Sequence, residues 1–362
     1  MSKIDSSGIR KVFDLAAKMK DPINLSIGQP DFDVPQPAKN EAIAAIQEGF
    51  NRYTLTQGIP ELREAVSQLM RDTRGWSPED VLITSGVSGG IMLAVAVLVD
   101  PGDEVIIPDP HFMMYSHLAR LFGGVPVYVD TYPDFRMTAE RIEPVITPRS
   151  RVLFVNSPSN PTGVISRDEE LADIADLARR HNLTVITDEV YSDFCYDRPF
   201  VSIIKHLAEA LLLSGFSKTY AFTGWRLGYA CGSARIVQEM TKLQQFSFVC
   251  APSMVQRAGI KALATDVSPQ LESYRRKRDL ISDGLAESFE LVRPEGAFYL
   301  FPKVPWGQDD TFVRAAIEAN CLVIPGSVFS QRHTHFRISY ATTDRQLERG
   351  IEVLNRLARR GG

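Results

Sequence analysis

A lysine, an aspartate, an asparagine and two arginines stand where apolar runs of this sequence give way to polar loops. Lys218 follows the run Leu211–Leu213 and the small residues SGFS; Arg226 lies eight positions on and heads a second apolar run. A short strand opening into a polar loop is the plain reading. In open α/β sheets the chemistry sits just outside the carboxyl ends of the strands. A lysine there can bind phosphate as a point charge, or condense with an aldehyde once its pKa is lowered. Most lysines do neither and stay in solvent. Glycine and serine before Lys218, aromatic residues after it and Arg226 close by set this one apart.

The strand Thr184–Ile186 delivers Asp188 in the string DEVY. A carboxylate at the end of an apolar strand is costly unless a positive group pairs with it. Asn160 is flanked by two prolines in SPSNPTG, a rigid turn. Its amide can donate to an oxygen anion without carrying charge. Arg337 sits in the alternating string FRISYA. It needs an anion if buried, and its planar fork matches a carboxylate. The small residues SGVSGG feed the apolar run Ile91–Val99, the pattern of an anion site built from backbone N–H groups at a helix start. Gly28, in the proline-rich INLSIGQPDFDVPQP, allows close backbone approach within an extended arm. His333 and His335 share a strand face without a third ligand, so no metal site is expected.

The string GFSKTYAFTGWRLGY resembles the lysine motif of the class I/II aminotransferases, the fold type I enzymes that use pyridoxal 5'-phosphate. The arm around Gly28, the string from Tyr53 through GIPELR, SPSNPTG, DEVY and FRISYA resemble further motifs of that family, in the expected order over nearly the whole chain. The resemblance implies a catalytic Lys218 that holds the cofactor as a Schiff base. It implies phosphate contacts from the Val87 and Ser88 backbone, Ser217, Arg226 and, from the partner subunit of a homodimer, Tyr53. Phe112 would stack on the pyridine ring, Asp188 would pair with its nitrogen, and Asn160 and Tyr191 would meet its phenolic oxygen. Gly28, Asn160 and Arg337 would line the substrate position, with Arg337 on the α-carboxylate. The implied activity is ping-pong transfer of an amino group between an L-amino acid and a 2-oxo acid.

The nearest rival is a pyridoxal-phosphate β-lyase or a decarboxylating enzyme on the same fold; the half-reaction with an amino acid separates them. A regulatory amino-acid sensor would need an added DNA-binding domain, for which the short N-terminal arm leaves no room. Three positions depart from the family pattern. Gly215 stands where many relatives have serine, with Ser214 and Ser217 beside it. Ser88 stands where one aspartate-specific branch has lysine, which weakens an aspartate assignment. The segment after PGSVF lacks the usual glycines, so its loop is shorter or tighter. The substrate is not identified; apolar walls for an aromatic or aliphatic side chain would come from Ile27, Phe222 and Tyr340.

The elements that must hold these residues follow from pattern. The chain has 362 residues, enough for a large core in two parts. Charged residues make up 23% and the net charge is −4, which argues against a nucleic-acid partner. The basic cluster Arg275–Arg278 reads as the solvated face of a helix. Four widely separated cysteines, no basic-then-apolar leader and no apolar run long enough for a membrane point to a cytoplasmic protein. Helices are expected over Ile9–Met19, Pro37–Gln47, Pro60–Gly75 and Ile91–Val99, and from a capping box of Ser166 with Glu169. Three more follow the lysine segment, then a strand Glu290–Val292, a helix from Asp309, the strand bearing Arg337 and a terminal helix from Asp344. The fold expected by resemblance is α/β: a fold type I, three-layer αβα large domain (40–265) on a mostly parallel sheet. A smaller α+β domain comprises 1–39, with the N-terminal arm, and 266–362.

Overall fold

A computed structural model describes residues 19–359, so all but the last residue of the helix expected over Ile9–Met19 lies outside the described residues. The chain runs β1 (Ile23–Asn24), α1 (Gln36–Gln47), α2 (Pro60–Arg74), β2 (Asp80–Ser85), α3 (Gly86–Leu98), β3 (Glu104–Asp109), α4 (Met114–Leu121) and β4 (Val125–Asp130). It continues through α5 (Ala139–Ile142), β5 (Ser150–Asn156), α6 (Asp168–Arg180), β6 (Thr184–Asp188), β7 (Leu211–Gly215), β8 (Leu227–Gly232), α7 (Ala234–Ser247), α8 (Ser253–Leu263) and α9 (Ser268–Leu285). It closes with β9 (Tyr299–Leu300), α10 (Asp309–Glu318), β10 (Cys321–Leu322), β11 (Ile324–Pro325), β12 (Phe336–Ser339) and α11 (Asp344–Ala358).

Seven strands form the central sheet in the order β2-β8-β7-β6-β5-β3-β4. Strand β8 runs antiparallel to β2 and β7, and the other pairs are parallel. Side chains alternate across a strand, and here both faces are covered. Val105, Ile107, Val152, Phe154, Leu211 and Leu213 join the core under α3 and α4. Ile106, Leu153, Val155 and Leu212 join the core under α2, α6 and α8. A parallel sheet buried on both faces is the expected three-layer αβα architecture. Parallel pairing also brings the carboxyl ends of β5, β6 and β7 to one edge, with Asn156 opposite Asp188.

The smaller α+β part holds the antiparallel sheet β11-β12-β9. The N-terminal arm joins it: β1 pairs parallel with β10, and Ser339 N–H donates to the Leu25 carbonyl at 2.8 Å. Residues 26–28 are thereby laid beside the strand that carries Arg337. Among the described residues no helix is long and apolar enough to cross a membrane.

Four expectations need correction. Glu290–Val292 forms no strand; its one ladder-like bond, from Lys303 N–H to the Glu290 carbonyl, is too little, and the pairing strand is Tyr299–Leu300. The expected capping box does not form: Ser166 N–H bonds back to Ser157, the helix is capped at Arg167, whose side chain has no acceptor, and only the reverse half of a box is present, Glu170 accepting the Arg167 N–H at 2.8 Å. SGVSGG is not a loop before the helix but its first turns, because α3 starts at Gly86. The basic cluster is only half solvated. Lys277 and Arg278 fall on the same face of α9 as Tyr274 and Ile281, and are 7% and 2% exposed. Arg278 forks onto Asp197 at 2.6 and 2.8 Å, while Lys277 pairs with Asp31 of the arm.

Candidate active site

A cavity of about 350 Å³ opens at the carboxyl ends of β5, β6 and β7. That is within the range of small-molecule sites. Of the residues singled out in the sequence, Gly28, Val87, Ser88, Phe112, Asn160, Asp188, Tyr191, Ser217, Lys218, Arg226 and Arg337 all line it. Tyr53 does not; it is 83% exposed on the outer surface.

Lys218 reaches the cavity because β7 stops at Gly215 and the chain turns. Two non-glycine residues in that turn, Ala221 and Arg226, take left-handed backbone at φ 58°. Each costs about 1 kcal/mol or more, strain that the surroundings must hold. The turn brings Arg226 back to the cavity that Lys218 enters. Lys218 Nζ donates to the Gly28 carbonyl at 2.6 Å. Its pKa is pushed down to about 8, first by burial and then by Arg337 and Arg226, with Asp188 opposing. Gly28 must be glycine: a Cβ there would overlap the Tyr299 hydroxyl.

Asp188 ends β6 and is 3% exposed. It accepts the Tyr115 hydroxyl at 2.7 Å and the Val190 N–H at 3.2 Å. Burial pushes its pKa up to about 6, against the pull of those two bonds. Glu189, next in sequence, turns the other way and pairs with Arg74 at 3.1 Å. Asn156, which the sequence reading passed over, links the neighbouring strand ends. It donates to the Asp188 carbonyl at 3.0 Å and accepts the Asn160 N–H at 3.0 Å.

Arg337 is 1% exposed. Its guanidinium donates to Asn160 Oδ1 at 3.1 Å and to the Ser26 carbonyl at 2.9 Å. It lies 4.5 Å from the Tyr299 ring centroid and 4.6 Å from that of Phe329. No carboxylate among the described residues pairs with it, and its Nε has no partner. The bond to Oδ1 also orients the Asn160 amide, leaving its NH₂ for the cavity.

On the other side, α3 begins without a side-chain cap. Gly86 has φ 68°, and a Cβ there would stand 2.5 Å from Arg226 Nη2. Arg226 is held by the Thr223 carbonyl at 3.1 Å and the Ser85 carbonyl at 3.4 Å. A free helix start beside a guanidinium favours an anion. Ser217 faces this corner, with Thr223, whereas Ser214 turns away and donates to the Glu189 carbonyl. Position 215 has no room for serine, since a Cβ would stand 2.8 Å from Gly228 Cα.

The apolar walls are partly other than expected. Ile27 lines the cavity, but Phe222 and Tyr340 do not. Both are fully buried in the core, Phe222 against Phe216 and Tyr340 donating to the Ala297 carbonyl at 3.2 Å. Among the described residues lining the cavity, three cations (Lys218, Arg226 and Arg337) face one carboxylate, Asp188. Such a cavity favours a ligand of net negative charge.

Similarity to known proteins identifies the family. The sequence profile of the family described as aminotransferase class I and II matches residues 20–354. The chain is 37% identical to a putative aminotransferase, YugH, of Bacillus subtilis, over 98% of this chain and 96% of that one. It is 36% identical to aromatic-amino-acid aminotransferase 2 of Thermococcus litoralis, over 99% and 97%. The solved aspartate aminotransferase of Thermus thermophilus with maleate has a TM-score of 0.94 at 34% identity, covering 98% of this chain and 97% of that one. Near-complete coverage on both sides and a shared fold place the chain in one family: it belongs to the class I and II aminotransferases, and is a pyridoxal-phosphate-dependent transaminase.

Proposed function

We propose that the cavity is the site of transamination, with Lys218 as its catalytic residue and Arg337 as the seat of the substrate α-carboxylate. Arg337 carries the reading: a buried guanidinium without a carboxylate partner and with an unpartnered Nε. An unpaired buried charge costs several kcal/mol, so its counter-ion is expected from a ligand.

The donor set fits pyridoxal phosphate. The uncapped start of α3 at Val87 and Ser88, with Ser217 and Arg226, offers a phosphate seat. Asp188 suits a protonated ring nitrogen, Asn160 and Tyr191 suit an oxygen anion, and Phe112 offers a flat apolar face. Bound, the cofactor supplies an electron sink beside the substrate α-carbon. Arg337 and Asn160 orient the carboxylate, and Gly28 keeps the approach open. With the cofactor bound, Lys218 Nζ would take the proton from the substrate α-carbon as a base and deliver it to the cofactor carbon as an acid.

Among the described residues no cation lining the cavity is left over for a second carboxylate, which favours substrates with an uncharged, apolar side chain against Ile27 and Tyr299. The division into 40–265 and 1–39 with 266–362 is supported by the sheets: the seven-stranded sheet lies within 80–232, and the two smaller sheets draw only on 23–24 and 299–339. A homodimer is supported by Tyr53, Leu55 and Phe246, which are 83%, 59% and 87% exposed. Gln244 of α7 bonds the Thr56 carbonyl, which ties the segment bearing Tyr53 and Leu55 to the helix that carries Phe246. In such a dimer Tyr53 would serve the partner's phosphate. Four free thiols suit a reducing cytoplasm.

The test is the half-reaction of the pyridoxal-phosphate-loaded protein with a panel of amino acids. Aromatic and aliphatic ones should release a 2-oxo acid and bleach the visible band, and Lys218→Ala should lose this by a factor of about a thousand or more. Transfer at wild-type rate in Lys218→Ala would refute the assignment; a preference for aspartate would refute the substrate class.

A further inference from the structure

Tyr299 borders Tyr191, Gly28 and Arg337 at the cavity. It lies in β9 opposite Ser339 of the Arg337 strand, and it is 1% exposed. Its hydroxyl is 2.8 Å from the Tyr191 hydroxyl. The same oxygen sets the space at Gly28, whose carbonyl holds Lys218. Its ring carries the Arg337 guanidinium at 4.5 Å from the centroid.

Sheet pairing explains none of this, because the backbone supplies it. Phenylalanine would fill the same volume without the cost of burying a hydroxyl. The hydroxyl is therefore kept for its bond. Two tyrosine hydroxyls bring two protons, and one bond between them uses one. The second proton has no other acceptor among the described residues, and both side chains line the cavity. The pair is set to hand one proton to a ligand oxygen. Lys218, Asp188 and Arg337 are the charged groups around it.

We propose that Tyr299 is a positioning residue for the transamination, with two separable parts. Its hydroxyl donates to Tyr191, so that Tyr191 turns its own proton to the oxygen anion in the cavity. Its ring holds the Arg337 guanidinium flat for the incoming carboxylate. This rests on the roles assigned above to Tyr191 and Arg337.

The experiment compares wild type, Tyr299→Phe and Tyr299→Leu as pyridoxal-phosphate-loaded proteins. Two quantities are read: the pH midpoint of the visible band, and the Kd of 3-phenylpropionate, a carboxylate with no amine to react. Tyr299→Phe loses only the hydroxyl. Its midpoint should rise by about half a unit or more as the Tyr191 donation weakens, while the Kd stays within about threefold. Tyr299→Leu also loses the ring, and its Kd should weaken by about tenfold. An unmoved midpoint in Tyr299→Phe, or wild-type affinity in Tyr299→Leu, overturns the corresponding half of the proposal. Failure of the wild type itself to bind the carboxylate would refute the Arg337 assignment and this proposal together. Binding by the wild type with both variants unchanged would refute Tyr299 alone.

Discussion

The ionisation of Lys218 is open to direct measurement. Its amine titrates near 8 instead of 10.5, because burial and two arginines disfavour the charged form more than Asp188 favours it. At pH 8 about half of it is neutral, against about 0.3% for an ordinary lysine, a gain on the order of 150-fold. The sign for stability follows. A lysine whose pKa is lowered in the fold contributes stability above the unfolded value and loses it as pH falls through the folded value. The cofactor-free protein should therefore gain about 3 kcal/mol from this residue between pH 8 and 10.5. Trace reductive methylation of the cofactor-free protein across pH, read by mass spectrometry of the peptide bearing Lys218, gives the midpoint. Arg337→Leu removes a like charge and should raise it by about one unit, cutting the neutral fraction at pH 8 to about a tenth. Asp188→Asn removes the opposing charge and should lower it. A wild-type midpoint above about 10, or shifts of the same sign in both variants, would refute the electrostatic account of the site.

Gly28→Ala should abolish turnover by forcing a methyl into the Tyr299 hydroxyl, and adding Tyr299→Phe should restore part of it in kcat/KM; a double variant no better than Gly28→Ala would show that the clash lies elsewhere. Gly86→Ala, with its new methyl 2.5 Å from Arg226 Nη2, should weaken pyridoxal phosphate binding by about tenfold or more in equilibrium dialysis. Arg278→Ala breaks a buried fork and should cost about 2–4 kcal/mol in urea unfolding, whereas Arg275→Ala, exposed on the same helix, should stay within about 0.5 kcal/mol.

Residues whose chemistry is unusual for their place were legible before any fold was known. Lys218, Asp188 and Arg337 each interrupt or end an apolar stretch, where a charge is expensive, and each proved to face one cavity. The layering was legible too, since short apolar runs alternating with helical stretches demand a sheet covered on both sides. Tyr115, Asn156 and Tyr299 were not, because an aromatic ring or an amide inside a helix or strand looks like any core residue. What sets them apart is the direction of one hydroxyl or amide, and only packing fixes that. Phe222 and Tyr340 erred the other way: apolar, near the motifs, yet turned into the core. The helix face shared by Tyr274, Lys277, Arg278 and Ile281 carried a periodic signal, which the basic composition of that stretch obscured.

The route of the N-terminal arm bears on how the protein is made. Arg337 bonds the carbonyl of Ser26 across 311 positions, and Lys218 bonds that of Gly28 across 190. Contacts that distant form late, because closing the long loop comes before any gain from it. During synthesis the lysine, the helix start and the acidic strand end can assemble while the strand bearing Arg337 is still unmade. The Lys218 amine would then be present in a half-built chain, but the seat proposed for the carboxylate could close only when the last strand meets the arm. On the roles proposed above, a chain stopped short of residue 337 would carry the lysine without the arginine that seats its substrate.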